Sequence, residues 1–195
     1  ISKGILVGLV LGLFAACGGD DKKEGKAGKL TVRMEAAATS LNPYQASPGY
    51  SRFVARQIYQ ELGVINPQTL QLEPLLIKQL PELREVTEDG PHKGHYACTI
   101  ELLPQVAWPN GSSMTANDLV FTLKIILHPQ LKARAFGSYF TELHDVTVDP
   151  ADPKKCTVYF KPPYVLAVES LCQIPIFPAY HYDTGNLLAG IAVAD

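Results

Sequence analysis

Apolar residues recur at three- and four-residue spacing in one stretch of the chain, residues 116–128. The stripe consists of Leu119, Val120, Leu123, Ile126 and Leu127. This spacing predicts an amphipathic helix with one face in the core. Thr115 followed by Asp118 is close to a capping box, so we expect the helix to begin near Ala116 and to end at His128-Pro129.

The residues before this helix predict a strand and a tight turn. Apolar positions of the strand alternate with Ala, Thr and Glu, and they are Tyr96, Cys98, Ile100 and Leu102. This alternation is typical of a half-buried strand. Pro109-Asn110-Gly111-Ser112 is a turn sequence, because Pro presets φ and Asn and Gly tolerate positive φ. We therefore expect Trp108 to end the strand and to be buried against the helix.

Weaker patterns predict the remaining elements. They are a strand over residues 30–34, a helix from Ser51 closed by Gly63, a hairpin over 64–76, a charged loop over 82–94, an irregular segment over 129–139, and strands at 146–148 and 156–161. Among 195 residues, fifteen Gly and fifteen Pro favour many short elements over a helical bundle. The patterns together predict a mixed α/β fold.

The overall charge changes the functional picture little. The chain is 47% hydrophobic and 18% charged, with a formal charge of −2. Such a chain can bury a core and shows no bias toward nucleic acid. It also has no GxSxG, HExxH or phosphate-loop motif, so we expect no enzyme activity and no cofactor.

The first 29 residues have the pattern of a secretory leader and a tether. Lys3 precedes an apolar run over residues 4–16 that is short for a membrane span. Phe14-Ala15-Ala16-Cys17 resembles a lipobox, which predicts lipidation of Cys17. The alternative is a plain signal peptide or a buried helix with a chance cysteine. Residues 17–29 are polar and Gly-rich, so they cannot order themselves by burial.

The residues around the start of the predicted helix resemble the signature sequence of a known protein family. The order Trp108, Asn110-Gly111-Ser112, Thr115-Ala116 and Asp118-Leu119-Val120-Phe121 resembles the signature of extracellular solute-binding protein family 5, the peptide- and nickel-binding receptors of bacterial ABC importers. Residues 161–164 and 171–180 resemble later segments of the same family. The resemblance covers about residues 30–182 and implies the N-terminal portion of a periplasmic-binding-protein-like, type II, two-lobe fold.

This resemblance implies a division of the chain. The expected parts are a signal peptide (1–16), a lipid-anchored tether (17–29), the first part of a main lobe (30–46), an inserted small α+β domain (47–165), and a return into the main lobe (166–195). The first residue is Ile and the last residues carry no helix cap, so we expect a fragment of a longer receptor. The C-terminal lobe, with the groups that hold a peptide's charged ends, is expected outside it.

The resemblance also implies a function. We expect a lipoprotein on the periplasmic side of a bacterial membrane that captures oligopeptides, works with an ABC permease, binds no nucleic acid, and is a monomer when full length. The first alternative is a lipoprotein hydrolase with catalytic residues outside this chain. The second is a receptor for nickel complexes or sugars on the same fold.

By resemblance, two parts of the chain face the ligand. One is the loop after Leu41-Asn42-Pro43, namely Ser47, Pro48 and Gly49, and the other is Phe136, the aromatic residue before Gly137-Ser138-Tyr139. Gly and Ser offer hydrogen bonds, and Phe136 covers an apolar side chain. The alternative is that the loop is a surface turn and Phe136 belongs to the core.

The cysteines and histidines do not indicate a metal site. Without Cys17, three cysteines remain and none has CxxC spacing. The strand phase turns Cys98 and Cys156 inward, which predicts either two slowly reacting thiols or one disulfide. His92 and His95 share a loop, but two histidines with no nearby acid or thiol in the sequence are more often solvated than metal-bound.

We predict that Cys17 is the mature N-terminus and carries lipid. Cys17→Ala removes the thiol that would be acylated, so the substituted protein should leave the membrane fraction for the soluble fraction. Fractionation of cells that express each form measures this. Complete retention of Cys17→Ala in membranes through an uncleaved leader would contradict the prediction.

Overall fold

The computed structural model describes residues 31–44, 49–131, 134–161, 165–186, 188 and 193. The chain divides into two compact units, Ile1–Met34 and Glu35–Asp195. In the first unit, the described residues 31–34 have no regular secondary structure, so the strand predicted over 30–34 is not formed there. The predicted leader, tether and Cys17 lie outside the described residues. No helix in the described part is long and apolar enough to cross a membrane.

The described part of the second unit contains five helices and six strands. In chain order they are α1 (Gly49–Ala55), β1 (Gly63–Ile65), β2 (Leu72–Pro74), β3 (Arg84–Glu85), β4 (Tyr96–Glu101), α2 (Ala116–Leu127), α3 (Arg134–Gly137), β5 (Leu143–Val148), β6 (Lys155–Phe160), α4 (Ala167–Cys172) and α5 (Ala179–Tyr182). A 3₁₀ turn over Ser138–Phe140 follows α3.

The strands form two antiparallel sheets. β1 and β2 make the predicted hairpin, and the larger sheet has the order β3-β4-β6-β5. The inner face of the larger sheet and the apolar side of α2 belong to one hydrophobic core. The alternation predicted for β4 and β6 is confirmed, because their buried residues are Cys98, Ile100, Cys156, Val158 and Phe160.

The core holds three free thiols. Cys98, Cys156 and Cys172 are all buried and unbonded, so the disulfide alternative does not apply. Cys98 lies opposite Val158, and Cys156 lies opposite Ile100. Burial raises the pKa of each thiol to about 12. Thiolate is therefore scarce at neutral pH, and all three should react slowly with alkylating reagents.

The predicted turn and helix start are confirmed. Gly111 has a φ of 86°, and its amide donates to the carbonyl of Trp108. Thr115 is the N-cap of α2, and its amide donates to Asp118 Oδ2 at 2.8 Å. The Trp108 side chain is buried, as expected, and its Nε1 lies 3.3 Å from Asp118 Oδ2.

Two buried polar side chains of α2 hold the segment that connects α4 to α5. Asp118 Oδ1 accepts the amide of Ala179 at 2.9 Å, and Thr122 Oγ1 accepts the amide of Phe177 at 2.9 Å. The Thr122 hydroxyl in turn donates to the carbonyl of Asp118. The returning chain is thus anchored by side chains one helical turn apart, with its apolar residues Ile174, Ile176 and Phe177 buried.

Three predicted elements differ in the structure. The helix from Ser51 ends at Ala55, and Gly63 begins β1 instead of capping a helix. A Cβ at Gly63 would lie 3.0 Å from the carbonyl oxygen of Glu73, so the close approach of β2 requires glycine. The loop over 82–94 contains β3, and the segment over 129–139 contains α3. Both are short elements that pairing and packing create without a strong local pattern.

We predict that Asp118→Ala destabilises the protein by about 2–5 kcal/mol, because each buried donor left without an acceptor costs about 1–3 kcal/mol. The donors are the Thr115 amide, the Trp108 indole and the Ala179 amide. Asp118→Asn keeps one acceptor oxygen and should lose less. Urea unfolding measures both, with the exposed Glu82→Ala as a control near the parent. Equal stability of Asp118→Ala and Glu82→Ala would refute the anchoring role.

Candidate functional site

Tyr44 links the walls of two cavities. Its ring packs edge-on against Phe136 in the wall of one cavity, with centroids 5.0 Å apart. It packs in the same way, also at 5.0 Å, against Phe177 in the wall of the other. We call these the Phe136 cavity and the Tyr44 cavity, and their volumes are about 530 Å³ and 650 Å³. Both volumes lie in the range of small-molecule sites.

Local and distant hydrogen bonds fix Tyr44. Asn42 Oδ1 accepts the Tyr44 amide at 2.9 Å, which closes an Asx turn at the predicted Asn-Pro sequence. The Tyr44 hydroxyl donates to the carbonyl of Pro175. Burial, followed by the nearby Glu61 and Tyr59, raises the pKa of Tyr44 well above its ordinary value. The phenol therefore remains a donor and ties residues 41–44 to the returning chain.

The Phe136 cavity combines aromatic rings with charges of both signs. Its functional side chains come from α1, the chain before β1, the α3 region and α4, and they are Arg52, Arg56, Glu61, Phe136, Tyr139 and Glu169. Tyr139 is half exposed, and Phe136 is partly buried against the core. This lining can contact an apolar group and a charged group of the same small molecule.

The charged groups of this cavity differ in how far they are already paired. Arg56 Nε lies 3.5 Å from Glu61 Oε1. Burial raises the pKa of Glu61, and Arg56 partly opposes that effect. Glu169 Oε1 accepts a hydrogen bond from Gln173 at 3.1 Å. Within the described residues, no hydrogen bond or ion pair engages the Arg52 guanidinium, so it is the group most available to a ligand.

The Tyr44 cavity is larger but more apolar. Phe177 packs against Tyr59 at 4.8 Å and against Tyr182 at 5.1 Å, and the two tyrosine hydroxyls are 2.7 Å apart. Its polar lining consists of Asn42, His128 and Asp183 besides the tyrosines. We place the candidate site in the Phe136 cavity, because charges of both signs converge there and orient a solute.

The structure brings only part of the predicted site into this cavity. Phe136 lines it, while Gly49 begins α1, is outside the lining and has open space where a Cβ would lie. Ser47 and Pro48 lie outside the described residues. Sequence reasoning missed Tyr44 and the charged residues. The i, i+4 spacing of Arg52 and Arg56 on a predicted helix was the available signal.

This chain is similar in fold to several solved protein structures. No protein-family model matches the chain, and no curated protein sequence does. AgaA of A. tumefaciens R10, solved with agropinic acid, is 19% identical, with a TM-score of 0.61 over 77% of this chain and 28% of that one. OppA of Haemophilus influenzae, solved with the peptide RPPGFSPFR, is 19% identical, with a TM-score of 0.57 over 76% and 30%.

NikZ of Campylobacter jejuni, solved with Ni(L-His), is also 19% identical, with a TM-score of 0.53 over 67% of this chain and 24% of that one. The chain therefore has the mixed α/β fold of type II periplasmic binding proteins, as predicted. The family 5 resemblance seen in the sequence is confirmed at the level of the fold. The chain spans about a quarter of the length of NikZ and under a third of AgaA and OppA.

We predict that Glu61→Gln stabilises the protein at neutral pH relative to the parent. Because burial raises the pKa of Glu61 above 4.5, the protonated form is favoured in the fold. The stability that Glu61 contributes is present below its ordinary pKa in the unfolded chain and is lost as pH rises through its pKa in the folded protein. The advantage of Glu61→Gln should therefore be greatest near pH 7 and should shrink toward pH 4.

Urea unfolding at several pH values measures this difference. Glu88→Gln, at an exposed loop position, is the matched control and should follow the parent. A Glu61→Gln advantage that grows on acidification would contradict the assigned direction.

Proposed function

We propose that this chain is part of a family 5 solute-binding receptor that captures oligopeptides for a bacterial ABC importer. The fold it shares with receptors solved with a peptide, with agropinic acid and with Ni(L-His) supports solute binding. The lining of the Phe136 cavity supports the narrower choice of a peptide.

The observation that carries this choice is the combination of Phe136 and Tyr139 with Arg52 and Glu169 around one cavity. A short peptide presents an ammonium group at one end, a carboxylate at the other and apolar side chains between them, with a rise of about 3.3–3.6 Å per residue when extended. Charged side chains of both signs can fix the two ends, and aromatic rings can cover the apolar part. The cavity has each of these groups.

Within this proposal each side chain has a role. The family resemblance implied charged end-holding groups in the C-terminal lobe, whereas this proposal assigns the carboxylate of the solute to Arg52, because its planar guanidinium can donate two parallel hydrogen bonds and has no described partner. Arg56 keeps Glu61 paired. Phe136 and Tyr139 contact an apolar side chain, and Glu169 attracts the ammonium group. No step of bond making or breaking is required, so the receptor binds without catalysis.

The cellular setting belongs to the same proposal. A leader over residues 1–16 and lipid on Cys17 would place the receptor on the periplasmic side of a bacterial membrane, tethered by residues 17–29. Residues 47–165 would form the inserted domain, flanked by main-lobe segments 30–46 and 166–195. The expected partner is an ABC permease, and the full-length receptor is a monomer. The apolar run, the FAAC sequence and the Gly-rich tether support this setting.

Calorimetric titration of the full-length receptor, the parent in this test, with short alanine-rich peptides containing one Phe tests the proposal. Each peptide is used as the free acid and as the C-terminal amide. The parent should bind the free acid about 10–100-fold more tightly, since a hydrogen bond to a charged group contributes about 1.5–3 kcal/mol. Arg52→Gln should bind both forms equally, at the affinity of the amide. Phe136→Ala should weaken both forms by the same factor.

The control is Arg84→Gln, which removes an exposed arginine paired with Glu82 outside the cavity. It should keep the parent's preference for the free acid. Absence of peptide binding to the parent contradicts the proposed function. Retention of the preference in Arg52→Gln contradicts the proposed role of that residue while leaving the receptor function standing.

A further inference from the structure

Three imidazoles gather on the outer side of the larger sheet, away from the Phe136 cavity. The His95 and His144 rings stack with centroids 4.0 Å apart and planes 12° apart. The His92 ring stacks on Tyr159 at 3.8 Å and meets His144 edge-on at 5.8 Å. His92 Nε2 lies 3.3 Å from Asp145 Oδ2. We call these five residues the imidazole cluster.

The sheet topology assembles this cluster from distant parts of the chain. Asp145 of β5 lies opposite Tyr159 of β6, which places both side chains on the outer face. A register shift between Leu143 and Asp145 makes His144 the extra residue of a bulge. A bulge changes the direction in which a side chain points. His144 therefore joins Asp145 on the same side, where the loop over residues 86–95 supplies His92 and His95.

Metal binding does not explain the arrangement. Among the described residues, no group of three His, Cys, Asp or Glu side chains could hold a metal ion. The stacking of His95 on His144 gives the physical reason, because ring nitrogens in parallel planes do not converge on one point. His92 Nδ1 and His95 Nδ1 are buried and have no hydrogen-bond partner within the part of the chain that the structure describes. We therefore consider proton gain and loss as the chemistry of the imidazole cluster.

Protonation changes the charge of every imidazole here. Histidine is the side chain whose unperturbed pKa lies between pH 5 and 8, and two imidazolium rings 4.0 Å apart repel each other. Burial, then His95 and His92, lower the pKa of His144. Asp145 opposes this effect, and Lys161, which follows β6, adds to it. On the loop itself, Lys93 is paired with Asp89, and Glu88 is exposed.

Few other contacts close the loop. The Val86 amide donates to the carbonyl of His95 at 2.8 Å, and the Gly94 amide donates to the carbonyl of Val86 at 2.9 Å. Beyond them, β3 pairs with β4 through only two residue pairs. Among the described residues, this loop meets β5 and β6 through the ring contacts of His92 and His95 and through the His92–Asp145 pair.

We propose that the imidazole cluster is an acid-sensitive latch, in which protonation below about pH 6.5 releases the loop over residues 86–95 from the sheet. The direction of this pH effect on stability follows from His144. Its neutral form is favoured in the fold, so the stability it contributes is present above the ordinary pKa of histidine and is lost as pH falls through the folded pKa. Asp145 limits the loss, because its carboxylate acts to raise the pKa of His144.

Urea unfolding between pH 7.5 and 5.5, with amide hydrogen exchange of Val86 and Gly94 corrected for intrinsic rates, tests the latch. In the parent, acidification should raise the unfolding constant by up to about tenfold per pH unit for each proton that the unfolded chain binds and the folded protein does not. The protection of both amides should fall in parallel. Each variant is compared with itself at pH 7.5, so a change in overall stability does not obscure how its free energy of unfolding depends on pH. We call this dependence the pH slope.

Three variants separate the latch from general acid sensitivity. His144→Gln removes one stacked imidazole and should flatten the pH slope. Asp145→Asn removes the carboxylate beside His92 and should steepen it. His181→Gln, on α5 and outside the cluster, should leave it unchanged. A flat slope in the parent, or one slope shared by all variants, overturns the proposal. A slope that disappears with EDTA also overturns it, because a bound metal would then replace the proton.

Discussion

The buried carboxylate of Asp118 connects three segments of the structure. It receives the Thr115 amide at the start of α2, the indole of Trp108 from the turn, and the Ala179 amide from the returning chain. An unpaired carboxylate is costly to bury, so it is tolerated only where donors surround it. Here this requirement fixes the turn, the helix and the returning chain in one arrangement. The returning chain supplies Phe177 to the wall of the Tyr44 cavity and Pro175 to the wall of the Phe136 cavity.

The larger sheet uses its two faces for different chemistry. The inner face buries Cys98 and Cys156 with Val158, where burial keeps the thiols protonated. The outer face carries His92, stacked on Tyr159 beside Asp145, in contact with solvent. Because side chains alternate along a strand, neighbouring positions of β6 serve these opposite environments. The same sheet thus combines an apolar inner face with an outer face that carries ionisable side chains.

The candidate site illustrates how far local reasoning extends. Phe136 was found through its place beside Gly137 in a family-like segment, and the structure places it in a cavity wall. Tyr44 was not found, although its Asn-Pro-Tyr context predicts the turn that holds it. Its importance comes from a hydrogen bond to Pro175, 131 residues further along the chain. Glu61 gains its raised pKa from burial, which no nearby sequence pattern reveals.

Contiguous signals in the sequence predict four features that the structure contains: the Gly111 turn, the cap at Thr115, the apolar stripe of α2, and the alternation in β4 and β6. Those signals act over a few residues, where sterics and hydrogen bonding leave few choices. The family-like residues in the same stretch indicate the fold of type II periplasmic binding proteins. Three other features have no contiguous signal in the sequence: the close strand packing at Gly63, the four charged side chains in the cavity of Phe136, and the bulge that brings His144 onto His95. These features arise from contacts between distant segments, so their physical cause appears only when the chain has folded.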